Sequence, residues 1–133
     1  MNKLMSLLLV VLTFGVSFSQ EYPEDKVDWK FSVEQNGCDA TIVGKFTIDK
    51  HWHINATKLP EDNFGIPTTL SFIKNENYSL VGGIIEPKPI KKYDEASGET
   101  LLYHEGTFTL KQKIKIHGDS PFKVEFDFEF RLR

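Results

Sequence analysis

Phe122-Lys123-Val124-Glu125-Phe126-Asp127-Phe128-Glu129-Phe130-Arg131-Leu132-Arg133 alternates without a break between apolar and charged residues. A strand sends successive side chains to opposite faces. The run therefore has a dry face of Phe122, Val124, Phe126, Phe128, Phe130 and Leu132, and a wet face of Lys, Glu, Asp and Arg. On a helix the same phenylalanines would spread round the whole circumference. The segment reads as a half-buried β-strand that needs a second apolar layer to cover it.

The same period recurs upstream. Phe108, Leu110, Ile114 and Ile116 alternate with Thr109, Lys111, Lys113 and Lys115; Ile42, Phe46 and Ile48 alternate with polar neighbours; so do Trp29, Phe31 and Val33. Shorter strands are expected at residues 52–55, 69–74 and 78–85. Asn36-Gly37 suits a tight hairpin between the first two strands. Residues 58–67, with Pro60, Gly65 and Pro67, read as a loop. Residues 86–98, with Pro87, Pro89 and Gly98, read as a second and longer loop, and His117 to Pro121 joins the last two strands. No amphipathic helix of useful length is present. The expected fold is an all-β, immunoglobulin-like antiparallel β-sandwich of about seven to nine strands.

The 133 residues suit one domain, and 40% hydrophobic residues with 11 Phe suffice to fill its core. Residues 1–19 are expected to lie outside that domain. Lys3 gives a positive start, residues 4–16 are almost wholly apolar, and Ser17 and Ser19 precede a plausible cut before Gln20. This is the layout of a cleaved signal peptide, too short to span a bilayer comfortably. The expected division is a signal peptide at 1–19 and a single domain at 20–133, periplasmic or secreted, with no membrane attachment after cleavage. The net charge of −3 becomes one unit more negative once Lys3 leaves. Such acidity argues against nucleic acid and against anionic lipid as partners.

Cys38 is the sole cysteine, so no intramolecular disulfide can form and stability must come from apolar packing. It reads as an inert turn residue, a thiol that pairs with another chain, or a lone reactive thiol. Its neighbours Gly37 and Asp39 supply no cation to stabilise a thiolate. His51 and His53, two apart on a strand-like stretch, are a weak metal candidate that would need His104 or His117 as a third ligand. Glu61-Asp62 and Asp94-Glu95 read as solvated loop acids. No nucleophile-elbow sequence and no Gly-rich loop before a helix is present, so no catalytic residue and no cofactor is expected.

Several short stretches, taken in order, resemble the N-terminal periplasmic domain of the thiol–disulfide interchange protein DsbD, the disulfide-bond corrector family. They are Val27-Asp28-Trp29-Lys30-Phe31, Trp52-His53-Ile54, Pro67-Thr68, Leu80-Val81-Gly82, Glu86-Pro87-Lys88-Pro89 leading to Tyr93-Asp94, Tyr103-His104-Glu105-Gly106, and Phe108 to Lys115. The resemblance covers residues 27–133. It implies an immunoglobulin-like sandwich that receives electrons from a thioredoxin-like partner through two cysteines near its C-terminal end, shielded by an aromatic on a short cap loop. Here the chain stops at Arg133, about where the first of those cysteines would stand. The cap loop falls on Tyr93, Asp94, Glu95, Ala96, Ser97 and Gly98, with Ala96 and Ser97 where the shielding aromatic belongs. The expected function is an exported, non-catalytic protein-interaction domain. It would contact a periplasmic, thioredoxin-like partner through residues 86–98 and the neighbouring end of the last strand. The alternative is a truncated or split fragment of a periplasmic disulfide reductase. The resemblance is bacterial, which makes the glycosylation patterns at Asn55 and Asn77 meaningless.

Overall fold

The computed structural model describes residues 26–133 in full and the backbone of residues 2–9 and 16–19. The expected cut before Gln20 lies outside the described residues. The chain is all-β: β1 (Asn2–Leu9), β2 (Val16–Ser19), β3 (Val27–Asn36), β4 (Asp39–Ile48), β5 (Ile54–Asn55), β6 (Thr69–Phe72), β7 (Tyr78–Ile85), β8 (Ile90–Asp94), β9 (Glu99–His104), β10 (Thr107–Ile116) and β11 (Phe122–Glu129). One sheet runs β3-β4-β10-β7, a second β2-β1-β11-β6 and a third β5-β9-β8. The pairings within them are antiparallel.

The alternating strands bury the face their sequence assigns. Phe126 and Phe128 on the last strand and Phe130 just past its end are fully buried, as are Phe31, Ile42, Phe46, Leu110 and Ile114 on the facing sheet. The two layers meet through aromatic edges. The centroids of Phe31 and Phe126 are 4.8 Å apart, those of Phe46 and Phe128 5.0 Å, and those of Trp29 and Phe128 5.6 Å, all at steep interplanar angles. Such T-shaped contacts set the positive ring edge against the negative face and add to the area term. The architecture is a β-sandwich with a small third sheet at one side.

Close packing leaves no room at Gly44, which pairs with Phe31 across β3–β4. A Cβ there would stand 2.6 Å from a ring carbon of Phe31 and 2.9 Å from one of Phe46. Both rings are locked in the core, so Gly44→Ala should cost about 1–3 kcal/mol. Urea denaturation showing an unchanged midpoint would contradict the packing described.

Four local readings need correction. The β3–β4 turn has Gly37 and Cys38, not Asn36 and Gly37, at its centre, since Asn36 pairs with Asp39. Gly37 has φ 65° while Cys38 is not left-handed, the order of a type II′ turn with glycine first. Residues 86–98 are not one loop. They contain β8, which pairs with β9, a strand the periodicity leaves unassigned. The stretch 52–55 yields only the two-residue β5, and 69–74 only β6.

Gln112 is a polar residue on the inward stripe of β10, 2% exposed. Its Nε2 donates to the carbonyls of Gly82 and Lys113, at 3.1 and 2.8 Å. The β10–β7 register shifts at this point, and Gly82 takes φ 73°. The bulge turns a β7 carbonyl out of the ladder and the amide satisfies it.

Candidate functional site

Residues 93–98 form the β8–β9 turn. Asp94 and Glu99 are the last pair, leaving Glu95, Ala96, Ser97 and Gly98 to reverse the chain. Gly98 closes the turn at φ 73°, where a side chain would be strained. Its N–H donates to the Asp94 carbonyl at 2.8 Å. Ser97 Oγ donates to Asp94 Oδ2 at 2.8 Å and accepts from the Glu99 N–H at 3.3 Å. Ser97, standing where the family shield is expected, thus stitches the turn to itself.

Outside bonds hold the same turn. Asp62 accepts from the Thr100 N–H at 3.2 Å and from its hydroxyl at 2.9 Å. Asn63 Nδ2 donates to the Thr100 carbonyl at 3.0 Å, and the Phe64 N–H donates to Glu99 Oε1 at 2.7 Å. Asp62 is therefore a brace, not the free solvated acid its position beside Glu61 suggests. This bracing sets two aromatics in water at one end of the third sheet: Phe64 is 88% exposed and Tyr93 59%. Glu61, Glu95 and Ala96 are exposed beside them.

The opposite end of the third sheet holds Arg133. Its N–H donates to the His53 carbonyl at 2.9 Å, the His53 N–H donates back at 3.2 Å, and Leu132 bridges Ile54. β5 and β9 stand between this strand end and β8, and β9 extends about 17 Å from the turn. Residues 93–98 and Arg133 are therefore not one surface. The His53 ring lies against that of Tyr103, with centroids 4.4 Å apart and planes tilted by 38°. Burial and the Arg133 charge lower its pKa, against an opposing pull from Glu105.

His51 and His53 do not share a strand face. His51 has φ 73°, inside a turn in which the Trp52 N–H bonds the Asp49 carbonyl at 3.0 Å. The proposed third ligands are engaged elsewhere: His117 Nε2 lies 2.7 Å from Ser79 Oγ, and His104 Nε2 lies 2.6 Å from Glu86 Oε2. Among the described residues no group of three His, Cys, Asp or Glu is placed to hold a metal ion. Cys38 is an exposed free thiol at the apex of the β3–β4 turn. Asn55 is 2% exposed and its amide donates to the Ile66 carbonyl at 2.8 Å, so it offers no accessible glycan acceptor.

A second polar cluster went unread in the sequence. Glu86 accepts from the Thr57 hydroxyl at 2.5 Å, the Thr57 N–H at 3.1 Å and His104 Nε2 at 2.6 Å. His104 is 5% exposed and stacks on Phe108 at 4.6 Å. Burial pushes the Glu86 carboxyl up, but the bonds from His104 and Thr57 outweigh it and hold its pKa below 4.5. The cluster joins the ends of β5, β7 and β9. Its chemistry is that of a tether.

Comparison with family models, with curated proteins and with solved structures returned no match.

Proposed function

We propose that this chain is an exported protein-interaction domain that docks through the β8–β9 turn on a thioredoxin-like protein of a thiol–disulfide relay. The observation that carries the reading is the pair of exposed aromatics, Phe64 and Tyr93, beside a turn held to residues 62–64 by three side chain–backbone bonds and one bond between side chains. Folded chains rarely leave large aromatics in water on a braced scaffold, and aromatics so placed dominate binding energy when a partner covers them. The partner class follows from the sequence resemblance. The exposed carboxylates of Glu61 and Glu95 favour a contact surface carrying Lys or Arg around an apolar pocket.

The test is site-specific photo-crosslinking in the native compartment. With p-benzoylphenylalanine in place of Glu95, one discrete adduct containing a thioredoxin-like protein is expected. Its yield should fall about tenfold when Phe64 and Tyr93 are both changed to Ser. The same adduct formed equally from position 113, on the far sheet, would remove the turn from the proposal.

The reading assigns no turnover to these residues. Disulfide exchange needs an attacking thiolate and a second thiol to resolve the mixed disulfide, and Cys38 is alone at a turn. Any exchange needs a thiol from outside these residues. The purified chain should give no catalytic insulin reduction, and Cys38→Ser should leave that baseline unchanged. Sustained turnover would overturn the non-catalytic reading.

A further inference from the structure

β11 takes its second neighbour from residues 2–9. The sheet order β2-β1-β11-β6 sets Asn2–Leu9 along the whole strand, from Asn2 opposite Glu129 to Leu9 opposite Phe122. On its other side β6 covers only residues 126–129. The segment that completes the sheet is also the one whose sequence reads as a removable leader. Without it, β11 presents a row of unpaired N–H and C=O groups along eight residues. Two other edges are blunted: β7 by its bulge at Gly82, and β8 by Lys91, Lys92 and the preceding Pro89. β11 carries no Pro, no Gly and no bulge.

We infer that, once residues 1–19 leave, this edge is taken by β11 of a second copy of the chain, in antiparallel register centred on Glu125. A pairing of the strand with itself must match inward residues with inward ones, which excludes every register centred between two residues. Centred on Glu125, the pairing sets Lys123 against Asp127 of the second copy and Asp127 against its Lys123. On the dry face Val124 meets Phe126 and Phe122 meets Phe128. Seven residues of each strand overlap, with two attractive charge pairs against one Glu125–Glu125 repulsion. Centring on Phe126 keeps two attractive pairs, Lys123 with Glu129, but sets Glu125 against Asp127 twice, and centring on Val124 sets Lys123 against Glu125 twice but shortens the overlap to five residues. The contact is isologous and closes on itself, so it makes a dimer and not a fibre.

The inference rests on the export reading and not on the β8–β9 turn, which lies on another sheet. It is tested on chain expressed with its leader, recovered after export, and shown by mass to begin at Gln20. Light scattering across a concentration series should show a dimer. Lys123→Glu or Asp127→Lys alone should raise its dissociation constant about tenfold, and the double variant should restore it. Both side chains are exposed, so an unchanged denaturation midpoint will show that the fold survives. A monomer at every concentration, a dimer indifferent to both reversals, or a recovered chain that keeps residues 1–19 would overturn the inference. Loss of the position-95 adduct with the dimer intact would count against the docking turn alone.

Discussion

Phe128→Ala should cost about 3–5 kcal/mol of folding stability, a large part of the ~5–15 kcal/mol that holds a domain of this size. Phe128 is fully buried, and its ring touches those of Trp29, Phe31, Phe46 and Phe130. Removing it takes away the transfer free energy of the ring. It also leaves a cavity whose walls belong to β3, β4 and the last strand, all pinned by ladder bonds that prevent collapse. Arg131, three positions on and facing water, is the internal control: Arg131→Ala should move stability by less than about 0.5 kcal/mol. Urea denaturation gives both numbers, and the slope should stay the same in each variant if only the folded state is affected. Equal losses at the two positions would mean that the period-two pattern does not describe which face of the strand is buried.

That pattern is legible because each of β3, β4, β10 and β11 has one buried and one wet face, so burial is written directly into residue type. β8 and β9 lie in the small third sheet, where no such contrast exists. β8 is exposed along most of its length and β9 is half-buried at nearly every position. Pro87 and Pro89 then make the stretch look like a loop, although a proline just ahead of a strand costs its ladder nothing. Gln112 breaks the stripe because a bulge on the neighbouring strand needs a donor, a demand that β10's own sequence does not record. The site divides in the same way. The turn at 94–98 can be located from Asp94 and Gly98, but its braces come from Asp62 and Asn63, 38 and 37 residues from the Thr100 they hold. The Glu86 tether likewise spans 18 residues to His104 and 29 to Thr57. Local spacing carries no trace of partners chosen by topology. His51 shows the converse: the alternation that would align it with His53 fails because its backbone is left-handed.

Glu86→Ala should destabilise the chain by about 2–4 kcal/mol, because it strands the donors that the carboxylate satisfies. An ionised carboxylate only accepts, so Thr57 N–H, Thr57 O–H and His104 Nε2–H all point at it. With His104 5% exposed and Glu86 15%, water reaches those groups poorly. The loss should concentrate where the tether acts. Hydrogen exchange should speed up in β8 and β9, which lose the carboxylate that ties the end of β9 to Thr57, more than in β3, β4 or β10. The same carboxylate gives a pH signature. Its folded pKa lies below the unfolded value of 4.5, so the folded state binds the proton less well than the unfolded state. The stabilisation is therefore fully present above about pH 4.5 and drains away as pH falls through the folded value. Glu86→Gln keeps the shape and most of the acceptor geometry but has no proton to gain. Between pH 7 and pH 3 its denaturation midpoint should fall less steeply than that of the parent chain, and the two curves should converge at the acid end. Parallel curves would show that Glu86 is not held in its charged form by Thr57 and His104, and that some other contact anchors the third sheet.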